Sequence, residues 1–103
     1  MLIDKGYDEG DIVCFKLVNG DEVIAKFIVA RPDGYVVSKP CTVVPSPKGL
    51  GLIQSMFSAE LNNNVTLKLE HIMMHSTVVD DIKNHYIQTT TGIQPVTKGS
   101  IIT

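Results

Sequence analysis

Val13-Cys14-Phe15-Lys16-Leu17-Val18-Asn19-Gly20-Asp21-Glu22-Val23-Ile24-Ala25-Lys26-Phe27 is the stretch whose reading decides the fold. Side chains in a strand point to opposite faces in turn, so Val13, Phe15 and Leu17 share one face and Cys14 and Lys16 the other. Asn19-Gly20 then breaks the alternation. Both residues tolerate positive φ, so the pair predicts a tight hairpin with a type I′ turn. The return strand, Asp21 to Ala30, puts Val23, Ala25, Phe27 and Val29 on one side. Its other side carries Glu22 and Lys26, but also Ile24 and Ile28. That partly apolar second face predicts burial on both sides, by a helix or by a neighbouring subunit.

Outward from this hairpin the pattern stays extended. Arg31-Pro32-Asp33-Gly34 is a turn, with proline presetting φ and glycine permitting what a side chain would forbid. A third strand runs from Tyr35 towards Val44. Pro40 interrupts its ladder, because proline has no N–H to give, so the strand is bulged there or lies on an edge. Pro45-Ser46-Pro47-Lys48-Gly49 is a sharp break, and Leu50 to Ala59 is expected to fold back on Thr42 to Val44 as a protruding hairpin. After Asn62-Asn63-Asn64, Val65, Leu67 and Leu69 alternate with Thr66, Lys68 and Glu70. A last strand, Ile72 to Val78, closes the sheet. From Asp80 the period changes: Val79, Ile82 and Tyr86 share a helical face, Asp80 and Asp81 suit the positive end of a helix dipole, and Gly92 and Pro95 end the element. The expectation is one domain over 1–103. Residues 1–10 form an arm with order beginning at Asp11, 11–79 the sheet, 80–91 a helix docked on it, and 92–103 a tail.

Composition narrows the function. One hundred and three residues allow one core, and a hydrophobic share of 44% with 19% charged is enough to fill it. Nine basic against eleven acidic residues, a net charge of −2, give no general phosphate-binding coat; any nucleic-acid contact must be local or ring-shaped. The first residues lack the apolar core of a signal peptide, and no apolar run reaches the roughly 20 residues of a membrane helix. A soluble, cytoplasmic protein without a membrane partner is expected. Cys14 and Cys41 lie in strand-like runs with no Cys-x-x-Cys pair, which reads as two buried reduced thiols.

Leu17-Val18-Asn19-Gly20 between two apolar strands, followed by a third strand, an excursion and two closing strands, resembles the Sm-like family of RNA-binding proteins. The resemblance spans roughly residues 11 to 79. It implies a mainly β fold: a small, strongly bent antiparallel sheet or open barrel of about five strands, here with a C-terminal α-helix. Ala25 stands where the family has a bend-permitting glycine, and Glu70-His71 where it has Arg-Gly. The chain offers Arg31, Asp33 and Tyr35 near the family's nucleotide-binding Asp and Asn, and no Asn. The usual helix precedes the sheet, whereas here it follows, which looks similar to small members encoded by bacterial viruses.

The resemblance implies a homo-oligomeric ring of about five to seven copies, closed edge to edge, that holds single-stranded U- or A-rich RNA by stacking and phosphate contacts. It puts Arg31, Tyr35, Lys68 and His71 at the pore. The alternative is a scaffold or virion-associated module of the same fold that has lost RNA binding, which the acidic balance and the replaced motif residues favour. No catalysis is expected: the serines lack a nucleophile-elbow context, Gly49-Leu50-Gly51 is too short for a dinucleotide fingerprint, and Asp80-Asp81 is a helix start. No cofactor or metal is expected either. His71 and His75 on one strand would stand about 13 Å apart, too far to share a zinc, and His85 is on another element.

Overall fold

The computed structural model of the chain describes residues 6–56 and 58–91; the expected tail, 92–103, and Phe57 lie outside them. Six antiparallel strands form one sheet, and a single helix follows it. In chain order these are β1 (Ile12–Leu17), β2 (Glu22–Arg31), β3 (Gly34–Ser46), β4 (Gly49–Gln54), β5 (Asn64–Lys68), a 3₁₀ turn (Leu69–His71), β6 (Ile72–Thr77) and α1 (Asp80–Thr91). The lateral order is β4-β3-β2-β1-β6, with β5 on β3 as well. Long β3 thus carries two partners on one side: Gly34–Ser38 pairs with β5, and Cys41–Ser46 with β4. β4 and β6 end the strand order, and β5, on the same side of β3 as β4, is joined to β6 through the 3₁₀ turn.

The β1–β2 alternation sorts the core as its spacing dictates. Val13, Phe15, Ala25, Phe27 and Val37 are buried together on the inner face, with Tyr7, Leu17, Tyr35, Val65, Leu67 and Ile72 packed against them. The second face is apolar too. Ile12, Ile24 and Cys41 bury there against Tyr86 of α1, with Cys14, Val43, Leu52, Val78 and Ile82 around them. The helix is therefore what covers the second face.

Four local expectations give way to sharper geometry. The β1–β2 turn is not type I′, since only Gly20 has positive φ, at 99°. Gly20 N–H donates to Leu17 O (2.9 Å) and Leu17 N–H to Asp21 O (2.8 Å), which makes a type I turn followed by a glycine bulge. Val29 is exposed rather than inward, because the β2–β3 register shifts between Phe27 and Val29, and a bulge flips the alternation beyond it. Val79 is exposed just ahead of α1, and Val78 takes its place against the core. Leu69 to His71 leaves the strand for the 3₁₀ turn, so β6 begins at Ile72.

The Pro40 expectation resolves as a bulge. Ile24 pairs with Cys41 and Lys26 with Ser38, so Lys39 and Pro40 fall in the shift. Lys39 there has φ of 54°, the one non-glycine positive φ among the described residues. At the other end of β3, Gly34 is required for space. A Cβ on it would come within 2.1 Å of Leu67 O, so β3 and β5 meet this closely only over a glycine.

Candidate nucleic-acid interface

Two turns meet at one place on the sheet. The β2–β3 turn, Pro32-Asp33, and the 3₁₀ turn are tied by Leu69 N–H donating to Asp33 O at 2.9 Å. Lys68 Nζ lies 3.8 Å from Asp33 Oδ2, and Arg31 and Lys68 flank Gly34 in the ladders of β2 and β5. His71 Nε2 lies 3.6 Å from Glu70 Oε2. All four of those paired side chains are more than half exposed, so each contact is a solvent-screened surface pair. Next to the turns, Lys68 and His71 line a cleft of about 280 Å³ with Leu17, Val18, Asn19, Thr66 and Leu67.

Three of the four residues singled out from the sequence, Arg31, Lys68 and His71, gather around these turns. The fourth, Tyr35, sits one residue beyond Gly34 with its ring turned to the core. Its centroid is 5.3 Å from that of His75, 5.7 Å from Phe15, 5.9 Å from Phe27 and 6.4 Å from Tyr7. Ring pairs at these separations and tilts attract edge to face, and they hold Tyr35 in place.

That aromatic group contains residues the sequence reading did not find. His75 accepts or donates at both ring nitrogens: Tyr7 Oη lies 2.6 Å from Nδ1 and Tyr35 Oη 3.3 Å from Nε2. A neutral imidazole has one donor and one acceptor nitrogen, and a tyrosine hydroxyl can serve either, so all three groups are satisfied at once. Order begins ahead of Asp11, since Tyr7 packs over Phe27 at 5.6 Å and Gly10 N–H donates to Phe27 O. No periodic signal marks Tyr7; it lies in a polar, glycine-bearing segment.

Comparison of the chain with protein-family models and with curated proteins found no match.

The thiols are placed by the sheet. Cys14 pairs with Ile24 and Ile24 with Cys41, so the two cysteines lie two strands apart on one face. Adjacent strands stand about 4.8 Å apart, which separates their Cα atoms by roughly 10 Å, beyond the reach of a disulfide. Both are free. Burial pushes the Cys41 thiol up to about 11. Cys14 is only half buried, and its thiol is also raised, first by burial and then by the Glu22 carboxylate; its Sγ donates to Ser76 O at 3.3 Å. Thiols shifted this way are poor nucleophiles at neutral pH. Among the described residues, no group of three or more His, Cys, Asp and Glu could hold a metal ion, and no helix is long and apolar enough to cross a membrane.

Proposed function

We propose that the chain assembles edge to edge into a homo-oligomeric ring and binds single-stranded RNA, without catalysis, where the β2–β3 turn meets the 3₁₀ turn. The observation that carries this reading is that meeting of Arg31, Lys68 and His71 beside two strands with an unpaired side. Among the described residues β5 pairs only with β3, and β6 only with β1. An unpaired strand edge is a template for another chain, and a protein with open edges on both sides of its sheet, β4 and β5 beyond β3 and β6 beyond β1, is suited to closing a ring of copies. Met73 and Met74 on β6 are each 61% exposed, apolar surface that such pairing would remove from water.

In this reading Arg31 and Lys68 approach backbone phosphates, and His71 with the cleft beside it receives an unstacked base. Tyr35 and His75 brace the wall behind them. Binding is electrostatic in large part, so it weakens steeply with salt. A short oligouridylate or oligoadenylate titrated into the protein at low and high salt tests it. The reading expects saturable binding at low salt that Arg31→Ala and Lys68→Ala weaken, and lack of binding at low salt refutes it.

A second reading, a scaffold or virion-associated ring that has lost RNA binding, is favoured by the two carboxylates of this site. Asp33 sits against Lys68 and Glu70 against His71, and both carboxylates oppose the approach of a phosphate. It expects the same oligomer with no oligonucleotide affinity.

A further inference from the structure

Lys26, Lys39 and Lys83 line one cleft of about 220 Å³ between α1 and the sheet. The chain has only eight lysines and a net charge of −2, so three at one cavity is a local concentration that composition does not explain. Among the described residues none of the three forms an ion pair with a carboxylate, including Asp80 one turn before Lys83 and Asp11 beside Gly10. The rest of the wall is Gly10, Ile12, Ile87, Tyr86, Thr90 and Thr91, with no acid among them. Three hydroxyls there already donate elsewhere: Tyr86 to Lys39 O at 2.6 Å, Thr90 to Tyr86 O and Thr91 to Ile87 O.

The dipole of α1 does not explain the cluster: Lys83 is the fourth residue of the helix, near its positive end, and no basic residue lies in its last turn. The backbone adds an independent observation. Lys39 holds the left-handed φ of 54° at the β3 bulge, pinned by its own N–H donating to Leu61 O and by its carbonyl accepting from Tyr86. Glycine or asparagine would relax that position, and the chain instead places a lysine there, facing two more.

We infer that this α1–β3 cleft is a binding site for a phosphate group carrying two or more negative charges. Lysine ammonium groups bind phosphate as point charges, and the uncompensated charge matches a phosphate dianion or diphosphate better than a single carboxylate. The inference does not rest on RNA binding at the 3₁₀ turn. The phosphate can belong to a small free molecule or to a nucleic-acid backbone, and the test separates the two.

The full chain, labelled with ¹⁵N, is titrated with sodium pyrophosphate at low salt and followed amide by amide. The expected result is saturable shifts centred on Gly10, Ile12, Lys26, Lys39, Lys83 and Thr91 that disappear in the Lys26→Gln/Lys39→Gln/Lys83→Gln variant. Lys39→Gly suits the positive φ and keeps the fold; it is expected to weaken pyrophosphate binding roughly 3- to 10-fold as one of three charges is lost. Lack of saturable shifts in the folded wild-type chain, or shifts that persist unchanged in the triple variant, overturns the inference. A second titration with oligouridylate assigns the source: displacement of pyrophosphate from these amides identifies a nucleic-acid phosphate, and lack of displacement a small phosphate compound. Binding at residues 66–71 is read separately at those amides, so failure of one site does not mask the other.

Discussion

The two faces of the sheet are buried by different means. On the inner face the strands curl over their own side chains, and every fully committed residue, Val13, Phe15, Ala25, Phe27 and Val37, comes from β1, β2 or β3. On the outer face the strands supply Ile12, Ile24 and Cys41, and closure depends on one buried residue of α1, Tyr86. The inner face is thus secured by many mutually supporting contacts, whereas the outer is secured by a ring and a hydroxyl on a separate element. The same strands serve both faces, which is why β1 and β2 carry apolar residues at odd and even positions alike.

This difference makes graded predictions. Phe15→Ala empties the inner core and is expected to cost about 3–5 kcal/mol in denaturant unfolding. Gly34→Ala drives a Cβ against Leu67 O and forces β5 off β3; a loss of roughly 1–3 kcal/mol is expected, as for an overpacked core. A neutral result there would show that β5 is not held as close as described. Tyr86→Phe keeps the ring on the outer face and removes its hydrogen bond to Lys39 O, so about 0.5–1.5 kcal/mol is expected. A loss as large as that of Phe15→Ala would erase the distinction between the faces.

Alkaline titration sharpens the same contrast. Cys41 on the outer face has its folded pKa raised from 9.0 to about 11 by burial, and burial raises that of Tyr86 as well. A raised acid pKa means that the unfolded chain loses its proton first. The stability is therefore intact below about pH 9 and falls as pH rises from there through 11. Cys41→Ala should flatten part of that fall in urea midpoints measured against pH, and an unchanged slope would remove Cys41 as its cause. The smallest stability effect is expected at the exposed Lys68–Asp33 pair. Asp33→Asn should change unfolding by less than about 1 kcal/mol, yet tighten oligonucleotide binding by freeing Lys68 if RNA binds there.

Much of this architecture is legible in single residues. The alternation from Val13 to Phe27 fixes two strands and both buried faces, and the acid-led, three-and-four spacing after Asp80 fixes the helix. Pro40, lacking a donor, marks a bulge or an edge, and the β2–β3 register shift makes it a bulge. What alternation does not carry is its own interruption: nothing in Phe27-Ile28-Val29 marks the register shift that turns Val29 outward, and Leu69 reads as one more inward strand residue although the chain turns there. The charged residues at the two turns are legible as surface charges. The partners that set their environment, Asp33 against Lys68 and His75 between Tyr7 and Tyr35, are distant in sequence and meet only through the fold.

The account stands most directly on the unpaired sides of β5 and β6. Native mass spectrometry of the purified chain tests them in one measurement: a single closed species of about five to seven times the 11.3 kDa chain mass is the result expected. A stable 11.3 kDa monomer at micromolar concentration would contradict it.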